Sequence, residues 1–475
     1  MAKEKIIIDY RDKNAIIQCS PHILKLVREK FSVQNPVYMK RRFDPRKYAI
    51  TPSGAFQIGL WEEIEGFLTS LQIPIEIILN PDFKKNYSPH IYSGNIEPVE
   101  GFTYYDYQEE TIRLFLKHGR GIGLLATSAG KTLIIGGLCK NLIKQKPDAK
   151  ILIIVPDIGL LNQTYNDFVD KFGIMEITQW GNKKIPDWSK NILIANSQML
   201  ISDIKLSVSK LKDYDYVIVD EVHTLGEKTN KINKIVHNIT SPHKFGLSGT
   251  LPNNLLACWN ILGKMGPILI EESSFSIKKK GRAAPVEIHI IRCKIGKVPD
   301  LIGIDPLKPT DEYINECQYI YTHTKRNDMI INLAEKVNGN VLVIVDKLLH
   351  GDSLMKYKTK KDMVFINGDM PVEEREKIIH KMENGENCLV VAMAQIFARG
   401  ISINNLKYIV FCAIGKSNIR VCQAIGRSMR LHDNKSMAYI FDISDDSHYS
   451  QKHLKERLTI YKDEKIPIKV KNINL

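Results

Sequence analysis

Cysteine is scarce: eight in 475 residues, spread from Cys19 to Cys422, with no Cys-x-x-Cys and no paired spacing with histidine. That argues against a disulfide scaffold and a structural zinc, and for reduced, mostly buried thiols. Long apolar runs are missing as well. The longest, such as Lys150–Val155 and Val341–Val345, have the length of a strand, far below the roughly 20 residues that span a bilayer. Behind Met1-Ala2-Lys3-Glu4-Lys5 comes no apolar signal segment, so the expected setting is the cytoplasm, with no membrane partner. No repeat or long polar tract argues for disorder, and 44% hydrophobic with 25% charged residues is the balance of an ordinary folded chain. An acidic surplus is also lacking: 67 Lys and Arg against 53 Asp and Glu leave a net charge of +14. Such a surface favours an anionic partner, because phosphate contacts release counterions; taken alone it serves solubility equally well.

A chain of this length divides into two or three domains, each able to bury its own core. Residues 1–100 read as a small α+β domain, a candidate for DNA binding. It has a strand-like Lys5–Asp9, a helix-like Pro21–Arg28 and a second helix-like Leu60–Leu68. Between the helices, Tyr38–Tyr48 interleaves aromatics with Lys40, Arg41, Arg42 and further basic residues. Such a segment holds phosphates on its charges and stacks bases on its rings; a solvated hairpin with its aromatics packed inward is an equal reading. Asn80 through Asn95 reads as a linker. Over 101–275, strand-like runs at 121–126, 150–155, 191–195, 215–220 and 243–247 alternate with helix-like runs. That alternation predicts a parallel sheet covered by helices on both faces. Residues 276–324 read as a connector with a basic turn at Ile277–Arg282. A second alternating set fills 325–475, with strands near 341–346, 363–367, 387–392, 407–413 and 437–442, a helix over Pro371–Met382 and a helical tail at the end.

Three motifs carry chemistry. Leu124 through Thr132 lies between an apolar run and a helix-like run. Thr127, Ser128, Ala129 and Gly130 supply backbone N–H groups that approach phosphates, Lys131 reaches β/γ oxygens, and the Thr132 hydroxyl suits Mg²⁺. Leu125 stands where the strict phosphate-loop pattern has glycine. Asp220-Glu221-Val222-His223 follows the buried-strand pattern Tyr216–Val219. Asp220 is placed to hold Mg²⁺, Glu221 to orient and deprotonate water, and His223 either to couple this site to the next motif or to pack on the sheet. Finally, Gln423-Ala-Ile-Gly-Arg427-Ser-Met-Arg430 puts two guanidinium groups three residues apart on one helix face, the equipment of an arginine finger. ATP and Mg²⁺ are the implied cofactors.

These residues resemble the DExH-type helicases of superfamily 2, and the likeness runs through nearly the whole chain from Tyr107. It implies an α/β fold of two tandem RecA-like parallel-sheet domains behind the small N-terminal domain. Gln108 then reads adenine, and Lys131, Asp220, Glu221, Gln423, Arg427 and Arg430 are catalytic. Ser248 and Thr250, with His223, link hydrolysis to nucleic acid, and Pro156, Ser197, Gln198 and Gly400 contact its backbone. Within the superfamily the chain is similar to the phage UvsW-type helicases, which act on branched DNA and R-loops. That likeness rests on Ile91–Asn95 before Tyr107-Gln108, on Thr127–Lys131, on Phe245–Gly249, and on Gly415-Lys416-Ser417 leading into Gln423. It implies an ATP-dependent enzyme unwinding or branch-migrating forks, Holliday junctions and R-loops, in the cytoplasm of a phage-infected host. The implied partners are branched or RNA–DNA hybrid nucleic acid and single-stranded-DNA-binding or recombination proteins. Two alternatives stay open: a double-strand translocase or RNA-directed ATPase that separates no strands, and an ATP-gated clamp.

Overall fold

A computed structural model describes residues 4–11, 14–34, 46–87, 94–126, 129–181, 184–226, 231–281, 284–299, 309–396, 403, 405–412 and 437–475. It forms two compact units, Met1–Glu272 and Ser273–Leu475.

The N-terminal domain is a mixed sheet with two amphipathic helices. Strands β1 (Glu4–Arg11) and β2 (Asn14–Gln18) form a hairpin, β3 (Ser32–Gln34) pairs with β4 (Arg46–Tyr48), β5 (Ala55–Gln57) adds to β2, and β6 (Ile75–Leu79) runs parallel to β1. In β1 the alternation drives Ile6 and Ile8 inward, the period-two signature of a half-buried strand. The helices Pro21–Lys30 and Trp61–Ser70 bury Ile23 with Val27, and Trp61 with Ile64 and Leu68, spacings that put each set on one helical face. Of the basic aromatic segment, the described part forms β4, where the Arg28 guanidinium lies 4.5 Å from the Tyr48 ring centre; Lys40, Arg41 and Arg42 lie outside the described residues. The stretch read as a linker is ordered at its start. Asn80 accepts the Asp82 N–H at 2.9 Å, Pro81 opens a helix to Tyr87, and Phe83 buries its ring against Trp61. Asn80-Pro81, read in sequence as the start of a linker, is here a helix start.

The domain is seated on the rest of unit 1. Phe31 packs on Trp259 with ring centres 5.3 Å apart, and the cores merge into one cluster. Gly59 is required at the seam, because a Cβ there would lie 2.2 Å from the Leu262 carbonyl oxygen.

Unit 1 then builds a seven-stranded sheet among the described residues from β7 (Gly121–Leu125), β8 (Ile151–Val155), β9 (Ile177–Trp180), β10 (Ile192–Asn196), β11 (Tyr216–Asp220), β12 (His243–Ser248) and β13 (Ile268–Glu272). All pairs are parallel, in the order β13-β7-β12-β11-β8-β10-β9. Ile151–Val155 and Tyr216–Asp220 are buried residue by residue, as strands covered on both faces must be. Parallelism puts the C-terminal ends of β7, β8, β10, β11 and β12 on one edge, where open α/β sheets bind ligands.

Unit 2 repeats the architecture with β14 (Val286–Lys294), β15 (Val341–Val345), β16 (Asp362–Ile366), β17 (Cys388–Met393), β18 (Tyr408–Phe411), β19 (Ala438–Asp445) and β20 (Ile468–Asn474). Its order is β16-β17-β15-β18-β19-β14-β20, again all parallel. Two sequence expectations are corrected here. The connector 276–324 contains β14, which pairs with β19 through eight residues and is part of the sheet, and also a helix over Pro309–Thr322. The tail is not helical to its end, since β20 follows the helix His448–Asp463. Ile288, Ile290 and Cys293 supply the buried contacts that make β14 a strand.

Two buried ion pairs hold β19. Arg326 Nε donates to Asp445 at 2.8 Å, and Arg457 grips Asp442 through Nε at 2.9 Å and Nη2 at 2.8 Å, with the Tyr461 hydroxyl adding a third bond at 2.7 Å. Removing one partner strands the other charge without water. Arg457→Met is therefore expected to cost unit 2 about 3–5 kcal/mol, read as a lower urea midpoint; an unchanged midpoint would deny the pair any structural role.

Candidate nucleotide site

At the end of β7 the chain turns through Ala126, and Ala129 N–H donates back to the Ala126 carbonyl at 2.9 Å. Gly130 sits at φ +75° and opens the helix Lys131–Gln145. A side chain there is unfavourable twice over: the backbone is left-handed, and a Cβ would lie 2.6 Å from Gln108 Nε2. Gln108 itself is buried and spans two elements. Its Oε1 accepts the Tyr105 N–H at 2.9 Å, closing the N-terminus of the helix Asp106–His118, while its Nε2 donates to the Ala129 carbonyl at 2.8 Å. The Tyr107 hydroxyl donates to the same carbonyl at 3.0 Å. The glutamine motif thus clamps the phosphate loop directly. Thr127 and Ser128 lie outside the described residues.

Across the edge, β11 delivers Asp220 at its last position. The next residue, Glu221, has φ +54°, a conformation that non-glycine residues avoid unless their surroundings enforce it. The turn is held by the Glu221 carbonyl, which accepts the Thr224 N–H at 3.0 Å and its hydroxyl at 2.9 Å. It aims the Glu221 carboxylate at Lys131 Nζ, 3.3 Å away, and at His223 Nδ1, 3.2 Å away. His223 Nδ1 also meets Ser248 Oγ at 2.9 Å, Ser248 Oγ donates to Glu221 at 3.3 Å, and Ser248 Oγ lies 2.9 Å from the Thr250 carbonyl. A continuous polar chain therefore joins the phosphate loop, the acidic turn and the end of β12.

The two carboxyls are shifted in opposite directions. Burial and the neighbouring Glu221 charge push Asp220 up to about 6. Burial pushes Glu221 up too, but the Lys131 ammonium and His223 outweigh it and hold that carboxyl well below the usual range. Divergent environments for adjacent acids are typical of sites that assign them different tasks.

Two further motif residues share this edge. The Ser197 hydroxyl donates to the Pro156 carbonyl at 2.9 Å, bringing the ends of β8 and β10 together. Asn196 accepts the Met199 N–H at 2.8 Å and caps the helix beginning at Ser197, and Gln198 is exposed.

Comparison with known proteins adds the missing context. Residues 101–253 match the family described as Type III restriction enzyme, res subunit, and residues 315–432 match the helicase conserved C-terminal domain. The chain is a superfamily 2 helicase. The ATP-dependent DNA helicase uvsW of Enterobacteria phage T4 is 28% identical, over 97% of this chain and 97% of its own. The crystal structure of T4 UvsW covers 99% of both chains at 25% identity and a TM-score of 0.46. The Type ISP restriction-modification enzyme LlaBIII bound to DNA matches 87% of this chain and 34% of its own, at 14% identity and a TM-score of 0.57, a likeness of fold.

For this ATP-dependent helicase, sequence reasoning missed the Tyr107 hydroxyl, because an aromatic ahead of a glutamine reads as core. It also missed the left-handed Glu221, which no residue type announces. Gly400, Gln423, Arg427 and Arg430 lie outside the described residues.

Proposed function

We propose that this helicase acts on DNA, unwinding or branch-migrating forks, Holliday junctions and R-loops during phage recombination, repair and replication. The observation that carries the reading is the chain Lys131–Glu221–His223–Ser248, ending at the Thr250 carbonyl, on the edge that also presents Pro156 and Ser197. The end-to-end likeness to a DNA helicase of phage T4 supports the substrate.

Lys131 and the Gly130 turn bind the β/γ-phosphates. Glu221 orients the attacking water and takes its proton. Arg427 and Arg430 neutralise charge on the transferring phosphoryl group, with Gln423 positioning it. Thr132 and Asp220 fit Mg²⁺: both offer hard oxygen donors, and Asp220 is a buried carboxylate whose own surroundings disfavour its charge. When bound, the ion would neutralise phosphate oxygens. Lys131 cannot serve Glu221 and a phosphate at full strength together. A nucleotide that draws Lys131 away restores basicity to Glu221, so the base is released when there is something to hydrolyse. His223, Ser248 and Thr250 pass the change to the strand-binding side, where backbone amides and hydroxyls hold phosphates without reading bases.

A substrate panel tests the assignment. ATP-driven strand separation is expected on forked DNA, Holliday junctions and R-loops, with little on duplex RNA. ATP consumption without separation of any substrate would favour the translocase, and tight ATP-dependent binding without multiple turnover would favour the clamp. The Tyr38–Tyr48 segment is assigned to the duplex or junction. Replacing Lys40, Arg41 and Arg42 by Ala should flatten the log–log salt dependence of binding by roughly 0.7–0.9 per lost contact; an unaltered slope would remove them from the interface.

A further inference from the structure

The unit 1 sheet has a second cationic site at its opposite edge, where β7 and β12 begin. A cavity of about 30 Å³ is lined there by Arg120, Lys244, Lys264 and His237 from the helicase domain and by Tyr10 and Ile58 from the N-terminal domain. Arg120 is 3% exposed, Lys244 5% and Lys264 7%. Lys244 Nζ donates to the Val236 and Ile239 carbonyls at 2.8 and 3.0 Å, completing the end of the helix Lys231–Asn238. Lys264 Nζ reaches Gln57 Oε1 at 3.3 Å and the Asn260 carbonyl at 3.0 Å. Arg120 is served less well. Its Nη2 donates to the Lys264 carbonyl at 3.3 Å and its guanidinium lies 5.9 Å from the Tyr87 ring centre, while among the described residues its buried Nε and Nη1 have no acceptor. Among the described residues, no carboxylate lines the cavity.

Three basic side chains buried around one hollow have lost most of their water. Burial pushes the Arg120 guanidinium down to about 10 and the Lys264 ammonium down to about 8. A guanidinium with two unmet donors needs an acceptor, and a neutral ligand would leave the charge uncompensated.

We propose that this cavity binds a compact oxyanion of the phosphoryl class, held by Arg120 within the positive field of Lys244 and Lys264. The volume admits a small polyatomic ion and excludes a whole nucleotide, since a single water already needs about 10–15 Å³. Thr240, exposed at the rim, marks the way in. Because Tyr10 and Ile58 complete the wall, the anion fastens the N-terminal domain to the helicase domain. Two sources share the chemistry: free inorganic phosphate, and a terminal phosphate on a nucleic-acid strand.

The full chain carrying Lys131→Ala is the starting protein, because an intact phosphate loop would itself take phosphate. Its thermal unfolding is compared in inorganic phosphate and in sodium chloride at equal ionic strength. Phosphate should raise the Tm by roughly 3 °C or more over chloride, and adding Arg120→Met should abolish that difference whichever way the baseline moves. Should the Arg120 variant not fold, Lys264→Met takes its place and should shift the phosphate response to roughly tenfold higher concentration. A strand ending in 5′-phosphate that binds more tightly than its 5′-hydroxyl twin, with the gain lost in the variant, assigns the site to strand ends; equal binding assigns it to free phosphate. Phosphate that does no more than chloride, or a phosphate increment that survives the substitution, overturns the proposal.

Discussion

Lys131→Ala is expected to abolish DNA-stimulated ATP hydrolysis while leaving DNA binding largely intact. The ammonium is the charge at the start of the helix Lys131–Gln145 and lies 3.3 Å from Glu221. In the proposed role its removal takes away the direct electrostatic partner of the γ-phosphate, an interaction whose loss costs roughly 10²–10³ in rate at comparable sites. It also leaves Asp220 and Glu221 as adjacent carboxyls with, among the described residues, His223 to offset them, so the remaining base is disturbed as well. The combined effect should bring turnover to background. Salt-dependent DNA affinity should change little, because the strand contacts are proposed to come from other groups. Hydrolysis by the variant equal to wild type would refute the role of this lysine.

Glu221→Gln is expected to lower kcat by roughly 10²–10⁴ with little change in nucleotide affinity. The amide preserves size, its Oε1 can still accept from Lys131 while its Nε2 donates to Ser248 Oγ, and the left-handed turn, fixed by Thr224 through the Glu221 carbonyl, should persist. What the amide cannot do is accept a proton from water. Single-turnover hydrolysis and equilibrium nucleotide binding, measured on the same preparation, separate the two quantities. A variant that hydrolyses normally would move the base elsewhere, and one that fails to bind nucleotide would make Glu221 a positioning group.

How much of this was legible in sequence follows from burial. The strands β8, β11 and β15 are Ile151–Val155, Tyr216–Asp220 and Val341–Val345, apolar at nearly every position because both faces are covered, and such runs announce themselves. Edge and near-edge strands do not. β20 reads Ile-Lys-Val-Lys-Asn-Ile-Asn and is largely exposed, so its charges suggest a tail; β14 mixes Glu287, His289 and Arg292 into its run and was hidden in an apparent connector. The seam at Gly59 depends on a backbone approach, which no local pattern encodes. Lys131, Asp220 and Glu221 could be named together in sequence because residue type and spacing mark them, and the structure brings them to one sheet edge. The contacts that orient them, from the Tyr107 hydroxyl to the Ala129 carbonyl and from Ser248 to Glu221, join residues distant in the chain and needed the fold.

The placement of β14 bears on how the protein is made. Its two neighbours in the sheet, β19 and β20, are, among the described strands of unit 2, the two that follow it at the greatest distance in sequence. As the polypeptide leaves the ribosome, the described strands of unit 1 are all out by Glu272, whereas β14 emerges next and waits, with both hydrogen-bonding edges open, until β19 and β20 have followed. The second unit is therefore the part of a nascent chain that most needs shielding from premature pairing with its neighbours on the same message.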